Sequence, residues 1–285
     1  MLQRLPRREL APFVDRLWAC EAGDPVPGGR ELVLPTGAMH VVIRLDEPLR
    51  LFARPDDDHP TAIGHAIIGG ARACAYVRDV SRPGRSVGAQ LRPGAAGLLG
   101  VPAAALAERH TVLDDVWGAA AQDLRERLAE LDGPGMPRAV SDPGGGRGSI
   151  DGPGMLDVFE AALLARVPRV RGVHPAIAHA LAQLDARADV GAVVDALGYS
   201  HRRFIALFHD AVGLTPKRYA RVQRLQRALA GIATHALAAV AADAGYSDQA
   251  HLTREFRALA GVSPGAYRAR GAGPRNHVPW TPRDR

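Results

Sequence analysis

Apolar side chains recur at helical spacing in two matched runs between residues 190 and 270. Val190, Val193, Val194 and Leu197 trace one face of a helix that stops at Gly198, and Leu237, Val240, Ala241 and Ala244 trace another that stops at Gly245. Beyond each glycine a second helix is predicted, with Phe204, Leu207, Phe208 and Ala211 on the inward face of the first and Leu252, Phe256, Leu259 and Ala260 on that of the second. Glycine suits the left-handed position that ends a helix, and Ser200 and Ser247 (or Asp248) can accept from the free N–H groups that start the next. The pattern therefore predicts two helix-turn-helix units, at 190–212 and 237–260. Seven positions agree between them: Gly198, Tyr199, Ser200, Phe208, Gly213, Pro216 and Tyr219 recur as Gly245, Tyr246, Ser247, Phe256, Gly261, Pro264 and Tyr267. One supersecondary unit is built twice.

The opposite faces of these second helices are polar or small. Arg202, Ile205, Ala206 and His209 form the outward stripe of the first; Ala250, Thr253, Arg254 and Arg257 form that of the second, with Gln249 at its tip. Such stripes are what a major groove would meet. Pro216 opens a helix to Gly231, about 22 Å long at 1.5 Å per residue, with Tyr219, Val222, Leu225 and Leu229 inward and Lys217, Arg221 and Arg224 as a basic edge. The expected base-facing set is Arg202, Ile205, Ala206, His209, Gln249, Ala250, Thr253 and Arg254. Expected phosphate contacts are His201, Arg203, Lys217, Arg221, Arg224 and Arg257. The expected motif core is Val194, Gly198, Tyr199, Phe204, Phe208, Pro216, Tyr219, Gly245, Tyr246, Leu252, Phe256, Pro264 and Tyr267.

Gly-Tyr-Ser, then Phe, then Gly-x-Thr/Ser-Pro and Tyr, occurring twice around a connecting helix, resembles the AraC/XylS family of bacterial transcription regulators over roughly residues 172–270. That resemblance implies an all-α domain whose two recognition helices enter successive major grooves of duplex DNA. The chain departs from the family pattern at Ile205 and Ala206, where a polar residue, often arginine, is usual. Neither side chain can donate a hydrogen bond, so in a groove they would meet the thymine methyl, or this copy positions the protein while Gln249, Thr253 and Arg254 read the sequence.

Upstream, the period shortens. Residues 1–20 read as a short helix or arm followed by a strand around 15–21, and further short strands are expected at 31–35, 39–45, 49–54, 62–69, 73–79 and 86–91, joined by Gly, Pro and Asp turns. These argue for a small antiparallel sheet or barrel. From Leu113 the helical period returns in Val116, Ala120, Leu124, Leu128 and Leu131, and again in Leu156, Phe159, Leu163 and Val167. The fold class is α+β. The expected division is a β-rich sensor or association domain at 1–131, a Gly/Pro-rich disordered insertion at 132–154, a helix and linker at 155–171, the DNA-binding domain at 172–270 and a flexible tail at 271–285. Leu34-Pro35-Thr36-Gly37, Leu91-Arg92-Pro93-Gly94 and Leu113-Asp114-Asp115-Val116-Trp117-Gly118 resemble an uncharacterised domain that precedes some AraC-type DNA-binding domains.

Charge sharpens the division. Residues 172–285 hold 15 Lys+Arg against 8 Asp+Glu, whereas residues 1–171 hold 21 against 22, so the basicity lies in the half expected to meet DNA. The two cysteines, Cys20 and Cys74, are too few for a disulfide scaffold or a four-thiolate site. Cys20, His40, His65 and Cys74 share no ligand spacing, and no metal or cofactor is expected. The Gly144–Gly148 run lacks the Gly-Lys-Ser/Thr ending of a phosphate loop, and nucleophile signatures are absent. A cytoplasmic, non-enzymatic, sequence-specific transcription regulator is expected; the alternative is an enzyme or ligand-binding module with an accessory nucleic-acid tether. Candidate partners are duplex DNA, RNA polymerase, a small-molecule effector and a second copy of the chain, with no membrane segment.

Overall fold

The computed structural model describes residues 1–21, 24, 26–131, 152–167, 172–270 and 275–280. Its strands are β1 (Leu2–Arg4), β2 (Val14–Cys20), β3 (Arg30–Val33), β4 (His40–Arg44), β5 (Leu49–Phe52), β6 (Thr61–Gly64), β7 (Ala66–Gly69), β8 (Tyr76–Asp79), β9 (Ser86–Leu91), β10 (His110–Val112) and β11 (His277–Trp280). The helices are α1 (Ala103–Leu106), α2 (Asp114–Trp117), α3 (Ala119–Glu130), α4 (Gly152–Leu164), α5 (Pro175–Asp185), α6 (Val190–Leu197), α7 (His201–Val212), α8 (Pro216–Gly231), α9 (Leu237–Ala244), α10 (Gln249–Ala260) and α11 (Pro264–Ala269). Of the insertion expected at 132–154, residues 132–151 lie outside the described residues, and 152–154 are instead the start of α4.

Two antiparallel sheets form, one in the order β1-β2-β9-β4-β7-β10 and the other β11-β3-β8-β5-β6. The alternation along β4 shows how the first is used. Val41 and Ile43 are fully buried among Leu17, Val87, Ala89 and Ile68, while His40, Val42 and Arg44 on the other face stay half-buried. In the second sheet Leu32, Phe52, Val77 and Val278 are buried on one face, and Glu31, Tyr76 and Arg78 keep access on the other. Each sheet thus turns one apolar face to helices, while its other face is mixed: His40 and Arg44 share it with Val42 and Ile67 in the first sheet, and Glu31, Tyr76 and Arg78 share it with Val33, Leu49 and Leu51 in the second.

The outward faces reach different helix-turn-helix units. The first sheet shares one apolar cluster with α4 and with Val193, Val194, Phe204, Phe208 and Tyr219 of the first unit. The second shares another with Leu225 and Leu229 of α8 and with Val240, Tyr246, Leu252 and Phe256 of the second unit. The compositional halves are therefore not separately packed. At one seam Gly213, which ends α7 with φ +85°, leaves room for Ala103 and Ala71; a Cβ there would lie 3.2 Å from the Ala103 carbonyl oxygen.

Several expectations are corrected. The segment 62–69 is two strands in different sheets, because the chain turns the corner between them after Gly64. The helix expected from Leu113 breaks into α2 and α3 at Gly118, whose φ of +57° and ψ of −137° no helix continues. Val167 falls beyond α4, which ends at Leu164. The N-terminal arm is a strand, held to α4 by Arg4 Nη1 donating to the buried Glu160 at 2.8 Å and by the Arg7 amide at 2.6 Å. Within the stretch expected to be a flexible tail, His277–Trp280 pair with β3 in register from His277–Val33 to Trp280–Arg30. The cause is burial: Val278 and Trp280 are 4% and 6% exposed.

Candidate nucleic-acid interface

Local chemistry builds both motifs as their residues dictate. Gly198 and Gly245 end α6 and α9 in the left-handed conformation, and Gly213 and Gly261 end α7 and α10 likewise. Ser200 Oγ accepts from the Arg203 amide at 3.4 Å, and Asp248 Oδ1 accepts from His251 N at 2.6 Å. The second cap is the aspartate. Ser247 instead meets the His251 ring, at 3.1 Å. Thr215 and Pro216 start α8 in the same capped way.

The inward faces pack as expected. Phe204 and Phe208 are fully buried and stack in sequence with Tyr219, with ring centres 5.8 Å apart at each step. The Tyr219 hydroxyl donates to Asp185 at 3.1 Å; burial, then the neighbouring carboxylate, push its pKa well above the ordinary phenol value. Phe256 meets Tyr267 at 5.7 Å. Burial likewise pushes Tyr246 up to about 12.

On the other faces Arg202, Ile205 and Ala206 of α7 and Gln249, Ala250 and Arg254 of α10 are exposed, while His209 and Thr253 are half-buried. Thr253 Oγ1 donates back to the Gln249 carbonyl at 2.8 Å, which uses its hydroxyl proton and leaves the oxygen able to accept. Ile205 is 42% exposed, one of few large apolar side chains so placed. His201, Arg202, Arg203, Lys217 and Arg257 are exposed cations or titratable groups.

Two members of the expected phosphate set are already engaged. Arg221 donates from Nε and Nη2 to both carboxylate oxygens of Glu255, at 2.7 and 3.0 Å. The fork fills its guanidinium edge, so Arg221 ties α8 to α10 rather than facing a phosphate freely. Arg224 lies half-buried, its guanidinium 5.6 Å from the Tyr246 ring centre. Arg203 stays exposed but stacks over Tyr199 at 5.4 Å.

Residues 193–270 match the family model described as a helix-turn-helix domain. The C-terminal domain is an AraC-type helix-turn-helix domain. Residues 2–112 match a second model, described as a domain of unknown function (DUF6597), so the AraC-type domain is preceded by an uncharacterised domain that takes in the Leu34–Gly37 and Leu91–Gly94 motifs, while Leu113–Gly118 lies just beyond the match. Solved structures with similarity include the DNA-binding domain of AdpA, a global transcriptional factor, in complex with a target DNA (26% identity, 34% of this chain and 92% of that one, TM-score 0.32). They also include ToxT from Vibrio cholerae (9% identity, 90% and 98%, TM-score 0.43) and ToxT with bound unsaturated fatty acid (9%, 88% and 92%, TM-score 0.40). No curated protein matches the chain.

Contacts absent from the expected set join the AraC-type domain to the β domain. Tyr219, Gln223 and Gln226 lie on one face of α8. Gln226 Nε2 donates to the Pro35 carbonyl at 2.7 Å and to Asn276 Oδ1 at 2.9 Å, and Gln223 Nε2 reaches the Thr36 carbonyl at 3.4 Å. The Leu34–Gly37 turn is thus seated on the connecting helix. The clue in the sequence was a pair of glutamines, spaced i and i+3, beside an apolar stripe. His65 meets the Arg44 carbonyl oxygen at 3.2 Å, and exposed Cys74 lies by the end of α10. Among the described residues no three His, Cys, Asp or Glu side chains are grouped to hold a metal, and no helix is long and apolar enough to cross a membrane.

Proposed function

We propose that the chain is a sequence-specific transcription regulator that lays α7 and α10 into successive major grooves and reads a small molecule through its β domain. The observation that carries the first half is that two capped helix-turn-helix units hold their cores against the β domain while the stripes through Arg202 and Arg254 stay outside. Arg202, His209, Gln249, Thr253 and Arg254 supply the polar base contacts; Ile205 and Ala206 supply apolar ones. Lys217, His201, Arg203 and Arg257 supply phosphate contacts, Arg221 positions α10, and Arg224 lies against Tyr246.

The reading of the β domain as a sensor is supported by His40, His110, Tyr76 and Arg72, which meet where β8 of one sheet approaches β10 of the other and leave the Arg72 Nε without a partner, a costly arrangement for a buried polar group. Genome-wide mapping of bound sites, then footprinting of the full-length chain on one of them, tests the proposal. Protection of two adjacent major grooves per chain, about 34 Å apart, is expected. Protection of a single groove, or equal affinity for all duplexes, would overturn it.

A further inference from the structure

Beyond exposed Lys217, the cations of α8 fall into two sets. Arg218 pairs with Glu108 of the β domain and Arg221 with Glu255 of α10, each at 2.7 Å. Arg224 and Arg227, three residues apart farther along the helix, form no ion pair among the described residues. Arg224 lies over the Tyr246 ring at 5.6 Å, and a Cβ on Gly245 would come 4.0 Å from its Cδ, so it abuts the turn that leads into α10. Arg227 is half-buried, and its Nε is buried without a hydrogen-bond partner.

A third arginine reaches the same place from the first unit. Arg187 follows α5 with a φ of +72°, the left-handed position that helices usually give to glycine. Its amide donates to the Leu184 carbonyl at 3.1 Å and the Ala188 amide to the Gln183 carbonyl at 2.9 Å, the two bonds that close a helix in this way. A residue with a Cβ is disfavoured there. The exposed Arg187 side chain makes no hydrogen bond or ion pair among the described residues that would offset the strain. Asp185, the acid beside Arg227, already accepts from the Tyr219 hydroxyl at 3.1 Å. Burial, then the charges of Arg187 and Arg224, depress the Arg227 pKa in spite of Asp185, as expected where cations crowd around too little counter-charge.

The three arginines lie at the junction of the two units. Arg187 precedes Asp189, which caps α6 of the first, and Arg224 touches the α9–α10 turn of the second. With α7 and α10 in successive major grooves on one side of a duplex, the phosphate ridges that border the intervening minor groove pass between the units. We propose that Arg187 and Arg227 together hold a backbone phosphate of that ridge, while Arg224, stacked on Tyr246, adds positive potential beside them. This rests on the two-groove reading above and adds a contact between the grooves that neither recognition helix makes. Such a contact carries no base information; it fixes the register of the two units on the duplex.

The test uses the full-length protein on a duplex taken from its own footprint, with affinity measured from about 0.05 to about 0.2 M salt. Arg187→Gln and Arg227→Gln should each flatten the log–log salt slope by about 0.9, so over this fourfold range the double variant loses about twelvefold less affinity than the unaltered protein. Base preference should stay the same, since only backbone contact is lost. Uncharged methylphosphonates in place of the phosphates between the two grooves should weaken binding by the unaltered protein and leave the double variant indifferent, a pairing that a merely structural role would not produce. Arg125→Gln, exposed on α3, should keep the original slope. Thermal unfolding without DNA checks that each variant folds, and should Arg227→Gln fail to fold, the exposed Arg187 carries the test by itself. Two protected grooves with unaltered slopes, or equal sensitivity of double variant and unaltered protein to the methylphosphonates, would overturn this contact alone. A single protected groove would remove the two-groove reading and the contact with it.

Discussion

Arg221 of α8 holds both carboxylate oxygens of Glu255 of α10, at 2.7 and 3.0 Å, which ties the connecting helix to the second helix of the second unit. This separates two basic residues that look alike in sequence. Lys217→Ala should flatten the log–log dependence of DNA affinity on salt by about 0.9, the release of one phosphate contact. Arg221→Ala should leave that slope nearly unchanged and lower stability by about 1 kcal/mol, the scale of a partly exposed bidentate pair. Salt titrations of both variants check it; equal slope changes would return Arg221 to the phosphate set.

Arg254 is exposed on the outward stripe of α10, which is proposed to meet the groove. A bidentate contact to guanine would make Arg254→Ala relax preference at one base position by about 1–3 kcal/mol. Binding to a library of single-base variants measures this, and a uniform loss at all positions would assign Arg254 to the backbone.

Ile205 and Ala206 offer only apolar contact. Replacing thymine by uracil in the groove under α7 should cost on the order of 1 kcal/mol per key site, because each methyl group lost leaves apolar surface uncovered. Unchanged affinity would make α7 a positioning helix.

Removing residues 275–285 should lower the melting temperature of the whole protein, since β11 covers Leu32 and carries the buried Val278 and Trp280. The fragment 172–270 should likewise be less stable than the intact chain, its Phe204 and Tyr246 clusters having lost their β-domain side. Unfolding curves decide both, and melting unchanged by the truncation would return the tail to a passive role.

Stability should fall with acid well before the carboxylates titrate. Burial lowers His40 to about 4 and His110 to about 3. Below about pH 6.5 the unfolded chain takes up protons that the folded chain refuses, so the contribution is complete above 6.5 and declines toward 4, by up to about 1.4 kcal/mol per pH unit for each imidazole. Glu31 adds a second, lower window. Its burial is outweighed by His277 and Arg78, which hold it at about 2, so its contribution is lost from about 4.5 downward. Urea unfolding at pH 7 and 5 should show His40→Gln with the shallower dependence.

The two helix-turn-helix units were legible in the chain itself: α6, α7, α9 and α10 run over the expected residues because apolar spacing, glycine caps and Asp248 act within a few residues of each other. The strands were legible as short extended segments, but their partners were not. Whether 62–69 was one strand or two, and whether the tail was loose or paired with β3, depended on contacts between residues far apart in sequence. Pairing, unlike helix capping, leaves no signature in the segment alone. The same holds for chemistry. Arg72, Tyr76 and His110 are unremarked in their own segments and His40 stands out there only beside Cys20, His65 and Cys74, so only the approach of β8 to β10 brings the four together; Arg221 reads as a surface cation until the fold sets Glu255 against it.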